Sequence, residues 1–223
     1  MINKLLKSFF FKQKMTLKRY SILRILQIEE LIKLNIKGSV LDVGGKKTPN
    51  NISNYLDTKV KYLDKFAKNE EDLIIDLEKE FNIDKIKLEQ FDNVLLMNVL
   101  EHVFEFNNCI QICYALTKKG GNFIGSTPFY FRIHGSPNDY FRYTDQALEK
   151  ILKNVGFKNI IIYPLTGGIF ISLYSNIFLI TNKIPLFNNL LLPIFTILDK
   201  IMYLFTKSYK KIMPIGYFFK ATK

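Results

Sequence analysis

The sequence predicts an α/β fold: a seven-stranded, mostly parallel sheet with helices on both faces and an apolar helical insertion before the last strand. Three observations carry this expectation. Val40-Leu41-Asp42-Val43-Gly44-Gly45 is a short apolar strand that runs straight into a double-glycine turn. Twenty-two residues after Asp42, a second apolar run closes on an acid, Val60-Lys61-Tyr62-Leu63-Asp64. Continuous apolar strands then alternate with helical segments along the chain, the pattern of a parallel sheet covered on both sides.

Taken in order, residues 1–37 form a basic N-terminal arm and a covering helix. The arm mixes Lys4, Lys7, Lys12 and Lys14 with Leu5, Leu6, Phe9, Phe10 and Phe11. It offers only a short apolar run and no small-residue cleavage site, so a secretory signal is not expected. From about Thr16 to Leu34, Leu17, Ile22, Leu23, Leu26, Ile28, Leu31 and Ile32 recur at helical spacing. Residues 38–223 form the main domain. Strands are expected at 39–43, 60–64, 73–76, 91–97, 121–126, 158–164 and 215–221, and helices at about 51–57, 104–117 and 144–154. Gly120-Gly121 stops one helix and opens a strand, and Thr144 or Asp145 caps the next helix. The charged stretch 77–90 has no readable period.

The insertion, 165–212, is rich in Phe, Leu, Ile and Tyr. No charged residue falls between Lys158 and Lys183, or between Lys183 and Asp199. A spanning helix needs about 20 predominantly apolar residues. Ser172, Ser175, Asn176, Asn182, Pro185, Asn188, Asn189 and Pro193 interrupt this stretch. Short apolar helices are therefore expected, which either lid a substrate pocket or dip into a bilayer, with Lys200, Lys207, Lys210 and Lys211 meeting headgroups.

A strand, a glycine turn and an acid closing the next strand are what a Rossmann-like crevice needs to hold a nucleoside. Glycine lets the backbone approach the ligand, and the acid accepts from ribose hydroxyls. Three further segments follow in sequence: Phe91 to Val103, containing Asn98-Val99-Leu100-Glu101-His102; Leu116-Thr117-Lys118-Lys119-Gly120-Gly121; and His134-Gly135-Ser136-Pro137-Asn138-Asp139-Tyr140-Phe141-Arg142-Tyr143-Thr144. Together, over roughly residues 38–164, these resemble class I S-adenosylmethionine-dependent methyltransferases. The likeness is to a bacterial type 11/12-like group associated with surface-glycan and lipid-linked saccharide pathways. That family's turn reads Asp-x-Gly-x-Gly, and Lys46 stands here in place of the second spaced glycine.

The resemblance implies a site. Gly44 and Gly45 pass beneath the amino-acid end of S-adenosylmethionine, with Asp42 fixing the loop, Asp64 meeting the ribose and Asp76 beside the adenine. Asn98, at the end of the fourth expected strand, faces the transferred methyl. Base-amine methyltransferases carry Asn/Asp-Pro-Pro-aromatic there, and its absence favours an oxygen acceptor. His134 and His102 are the two histidines of the chain, and imidazole is a residue type that can take a hydroxyl proton. Asp139, Tyr140 and Arg142 are the acceptor-orienting candidates. Arg142 or Tyr140 would hold an anionic sugar or phosphate; alternatively, His134, Asp139 and Arg142 lock their loop by hydrogen bonds. Small-RNA 2′-O-methyltransferases also resemble this region, with a Glu-x-x-Glu-His cluster and a later His on a divalent ion. Glu101, His102 and His134 match, but Asn98 replaces the first Glu, so no metal is expected.

The net charge of +12 sits at the two ends. Residues 1–37 carry 9 Lys/Arg against 2 acids and residues 165–223 carry 7 against 1, whereas 38–164 hold 16 against 17. Basic flanks call for an anionic surface. Because the C-terminal flank is also oily, a membrane is the expected partner and nucleic acid is not. Cys109 and Cys113, four apart on an expected helix, have neither redox nor zinc spacing and read as buried thiols in a reducing compartment. The sequence thus points to a cytoplasmic enzyme, peripheral on the inner membrane face, that methylates an oxygen of a small or lipid-linked saccharide. A non-catalytic protein of the same fold in that pathway, or an RNA methyltransferase, is the alternative.

Overall fold

A computed structural model describes residues 2–66, 71–79, 90–135, 137–165, 168–181, 183–206 and 213–223. In chain order the elements are α1 (Ile2–Leu17), α2 (Ile22–Leu34), β1 (Val40–Val43), β2 (Val60–Leu63), β3 (Phe91–Met97), α3 (Phe106–Leu116), β4 (Thr117–Pro128), α4 (Asp145–Val155), β5 (Lys158–Leu165), α5 (Ile169–Thr181), α6 (Pro185–Phe205) and β6 (Gly216–Thr222). They fall into two compact units. One comprises Leu34–Pro128, Ile133–Tyr163 and Tyr217–Lys223, and the other Met1–Lys33, Phe129–Arg132 and Pro164–Gly216.

The first unit carries the sheet, in the order β2-β1-β3-β4-β6-β5. β1 pairs in parallel with β2 and β3, and β3 in parallel with β4. All four residues of β1 are buried, as expected of a central strand covered on both faces. Phe123 stacks on Phe157 with ring centroids 4.9 Å apart and meets Phe219 at 5.2 Å. Such fully buried side chains each contribute about 1.5–3 kcal/mol.

Among the described residues the sheet has six strands rather than the seven expected. The segment 73–76 pairs only as an isolated bridge, Leu73 to Leu63. Leu73 N donates to the Tyr62 carbonyl and its own carbonyl accepts from Asp64 N, but Ile74 is already 69% exposed. With no surface to bury against, the edge stops after one residue. The helix expected at 51–57 is a single 3₁₀ turn, Ile52–Tyr55, capped by the Asn51 side chain on Ser53 N. β4 begins at Thr117, directly after α3 and ahead of the double glycine. Gly120, at φ +79°, absorbs a left-handed step inside it.

The second unit holds most of the residues of both flanks, whereas Lys37, Lys220 and Lys223 belong to the sheet unit. The N-terminal arm is a continuous helix, α1, tied to α2 by Ser8 Oγ donating to Glu29 Oε1 and by Lys12 Nζ at 3.3 Å from Glu29 Oε2. α6 is one 21-residue helix that runs through Pro193, not a set of short pieces. By length and composition it could cross a membrane. The polar residues that interrupt the sequence turn out to be ties. Asp199 accepts from Phe170 N at 2.9 Å and Ile171 N at 2.8 Å, satisfying orphan donors at the start of α5. Asn188 and Thr181 exchange two hydrogen bonds across the α5–α6 turn. Lys207, Lys210 and Lys211, most of the unassigned stretch 77–90, and Ser136 lie outside the described residues.

Candidate functional site

Of the expected cofactor residues, Asp42, Gly44, Gly45, Asp64 and Asn98 sit toward the carboxyl ends of β1, β2 and β3, where open parallel sheets bind ligands, and Asp76 lies in a turn beyond β2. Gly44 takes φ +73°, and its N–H donates to the Leu63 carbonyl at 2.7 Å, pinning the turn to the end of β2. A Cβ on Gly44 would meet Val99 Cγ2 at 2.6 Å, and one on Gly45 would meet Asp42 Oδ2 at 2.3 Å. Both positions therefore demand glycine, and buried Asp42 lies against Gly45 as a floor to the loop.

Asp64 Oδ1 accepts from Phe66 N at 2.7 Å, while its Oδ2 lies 3.6 Å from Lys46 Nζ. The lysine that replaces the family's glycine thus reaches the acid expected to take the ribose. Asp76 folds its own turn, accepting from Glu78 N at 3.2 Å. Glu78 in turn accepts from Phe104 N and Glu105 N, which fastens this turn to the start of α3. Asn98 follows β3 at φ +55°, a conformation Asn tolerates, and donates from its backbone N to the Ser126 carbonyl at 2.8 Å.

The structure gathers the remaining candidates around Glu101, which the sequence reading left out of the site. A 3₁₀ turn, Leu100–His102, points Glu101 inward, where its side chain has no exposure. Burial pushes its carboxyl up to about 8, with the charge of Asp139 adding to that and Arg142 opposing it. His102 Nε2 stands 3.6 Å from Glu101 Oε1 and His134 Nε2 stands 3.9 Å from it. The two imidazole rings meet edge to face with centroids 4.9 Å apart. His102 Nδ1 donates to the Asn138 carbonyl at 2.5 Å, and His134 Nδ1 lies 3.3 Å from Asp139 Oδ2.

Asp139 is the hub of the loop. It accepts from His134 N at 2.8 Å and from Arg142 Nη2 at 2.7 Å, and Arg142 holds its carboxyl well below the usual range. Arg142 forks onto Asp139 and reaches the Phe141 carbonyl, the loop-locking arrangement rather than an open fork for an anion. Tyr140, 42% exposed, accepts from Asn138 Nδ2 and packs on Phe104 at 5.3 Å. Phe104, Phe106, Phe141 and Tyr143 form an aromatic patch beside the loop that the sequence reading missed. The signal for it was Phe104 and Phe106 opening α3 next to the His102 turn.

No family model and no curated protein matches the chain. Solved structures do. A S-adenosylmethionine-dependent methyltransferase from Archaeoglobus fulgidus aligns over 90% of this chain and 94% of its own, at 14% identity and TM-score 0.54. The 1,6-didemethyltoxoflavin-N1-methyltransferase of Burkholderia thailandensis, solved with bound 1,6-didemethyltoxoflavin and S-adenosylhomocysteine, aligns over 91% of this chain and 78% of its own, at 13% identity and TM-score 0.51. The 4+2 cyclase SpnF aligns over 89% and 81% at 13% identity and TM-score 0.53. The chain has the α/β Rossmann-like fold of these methyltransferases. SpnF is a reminder that such a fold carries more than one chemistry.

Proposed function

We propose that this protein is an S-adenosylmethionine-dependent methyltransferase that acts on an oxygen of a saccharide, small or lipid-linked, at the cytoplasmic face of a membrane. The observation that carries the cofactor is the floor-and-turn arrangement of Asp42, Gly44 and Gly45 with Asp64 at the end of the neighbouring strand. These residues fit the group: two glycines leave no room for side chains, and a half-buried acid stands ready for ribose hydroxyls. Asp76 and Asn98 complete the cofactor side. When bound, the cofactor supplies an electrophilic methyl for in-line displacement. The chain must aim the acceptor and dispose of its proton, a task that falls to the His134, His102 and Glu101 cluster, with Asp139 and Arg142 holding the loop and Tyr140 at its rim.

The membrane part of the reading is supported by α6. Leu186, Leu190, Ile194, Ile197, Ile201 and Leu204 are exposed along one side of it, Leu204 at 82%. Phe9 and Phe10 of α1 are exposed as well. An uncovered apolar stripe beside basic flanks suits an anionic lipid surface.

Calorimetric titration with S-adenosylmethionine and S-adenosylhomocysteine tests the cofactor. Binding of both should be abolished by Asp64→Ala, and Lys46→Gly, which frees Asp64 Oδ2, should tighten it. A folded protein that binds neither would favour the non-catalytic alternative. Sedimentation with anionic vesicles tests the surface: serine at Leu190 and Ile197 should reduce pelleting, and retention insensitive to those changes would count against the α6 stripe.

A further inference from the structure

We propose that a cleft at the amino ends of β1 and β3, lined by Lys37, Asn93, Asn122 and Lys220, binds a small phosphate monoester. All four residues belong to the sheet unit. The cleft lies at the opposite end of the strands from the glycine turn: Asn93 pairs with Val40, the first residue of β1, whereas Gly44 follows the last. Three adjacent strands each supply one polar side chain, Asn93 from β3, Asn122 from β4 and Lys220 from β6. Asn93 and Asn122 face each other across the β3–β4 ladder. Two residues further along, the same face holds Leu95 and Ile124, both buried. A polar row that interrupts an apolar face is costly unless its groups are satisfied. Asn93 is only 3% exposed, and its Nδ2 donates to the Lys37 carbonyl at 2.7 Å while its Oδ1 accepts from Asn122 Nδ2 at 3.0 Å. These bonds fix which way both carboxamides point, because the amide nitrogen donates and the oxygen accepts. Asn93 thereby holds the backbone of Lys37, and Asn122 keeps a second N–H and its Oδ1 for a ligand.

The charge in the cleft is of one sign. Lys37 and Lys220 come from separate segments of the chain, and none of the described lining residues is acidic. Two ammonium groups in one cleft repel, and an anion between them turns that repulsion into attraction. Lysine binds phosphate as a point charge, and the free N–H of Asn122 adds a donor for a phosphoryl oxygen. Asn122 Oδ1 can accept from a hydroxyl on the ester, and Ile124 gives its carbon atoms an apolar wall. The loop that carries Lys37 is fixed on both sides: Asn35 at φ +46° ends α2, and Gly38 takes φ +85°. Size narrows the ligand further. The cavity measures about 210 Å³, below the roughly 300–1,000 Å³ of sites for drug-sized molecules. A nucleotide is too large for it, and a phosphorylated three-carbon or single-sugar compound is not.

Binding here needs neither methyl donor nor acceptor, so its outcome is separate from that of the cofactor titration. The experiment follows the side-chain carboxamide signals of the isotope-labelled full chain by nuclear magnetic resonance while glycerol phosphate is added. Potassium chloride at matched ionic strength is the control. The signals of Asn93 and Asn122 should shift and saturate with glycerol phosphate and stay in place with chloride. Lys37→Gln and Lys220→Gln should each weaken binding by about tenfold, the worth of one charge-assisted hydrogen bond, and the double variant should abolish saturation. Circular dichroism checks that each variant folds; should Lys220→Gln not fold, the exposed Lys37→Gln carries the test. Shifts that fail to saturate, or that chloride reproduces, overturn the site. So does saturable binding left intact by Lys37→Gln, as follows if that ammonium group serves only the carbonyls that end α2.

Discussion

Helices α4 and α6 treat water in opposite ways. Along α4 the buried residues are Leu148 and Leu152, while Glu149, Lys150 and Lys153 face outward. Along α6 the buried residues are Asn188, Leu192 and Asp199, and the outward stripe is leucine and isoleucine. α4 follows the rule for a soluble amphipathic helix. α6 is inverted: its polar groups point inward because they satisfy the start of α5 and the α5–α6 turn, and its apolar groups are left facing out. Hydrogen-bond demand rather than burial of grease sets its orientation.

The largest test of this contrast is a pair of truncations. Leu152→Ala in α4 should cost about 2–5 kcal/mol in urea unfolding, and Ile197→Ala in α6 less than about 0.5 kcal/mol. Equal costs would mean that the outer face of α6 is covered in solution. Next in size, Asp199→Ala should lose about 1–3 kcal/mol, since two buried N–H groups forfeit their acceptor, and amide exchange at Phe170 and Ile171 should accelerate. Unaltered exchange there would remove the reason given for the inversion. Thr144→Ala deletes the N-cap on Ala147 N and should cost about 1 kcal/mol, which checks that α4 is an ordinary helix.

The smallest effect is pH-dependent. Ser39 N–H and Oγ–H, with Lys118, hold the Asp92 carboxyl well below the usual range. A depressed folded value means that this stability is present above the unfolded value near 4 and fades as pH falls below it. Wild type should therefore exceed Asp92→Asn in stability at neutral pH, with the gap closing in acid. A constant gap would assign the effect to packing. Asp92 sits in the sheet unit at the rim, where it ties Ser39 to Lys118.

Much of the fold was legible because its signals are local. Five of the seven expected strands recur nearly residue for residue, since a buried parallel strand announces itself as a continuous apolar run. The missing strand failed where an apolar run had nothing to pack against, which no window of sequence reports, and the helix at 51–57 is cut to a single turn that buries Ile52 and Ser53. The glycine turn was legible because Gly44 and Gly45 answer to neighbours within reach of the motif itself or of the next strand end.

The cluster around the His134 loop was legible only in part. His102, His134, Asp139 and Arg142 were picked out by type, yet Arg142 is engaged with Asp139, and the buried Glu101 lies against both histidines. The sequence by itself determined the alternation of elements, the place of the glycine turn and the excess of basic charge in the flanks, because periodicity, turn geometry and charge reside in consecutive residues. Only the tertiary structure decided that α6 turns its polar residues inward, that Lys46 reaches Asp64, and that Glu101 and His134, far apart in the chain, close on one point. Those outcomes depend on which partners the folded backbone brings within a few ångströms.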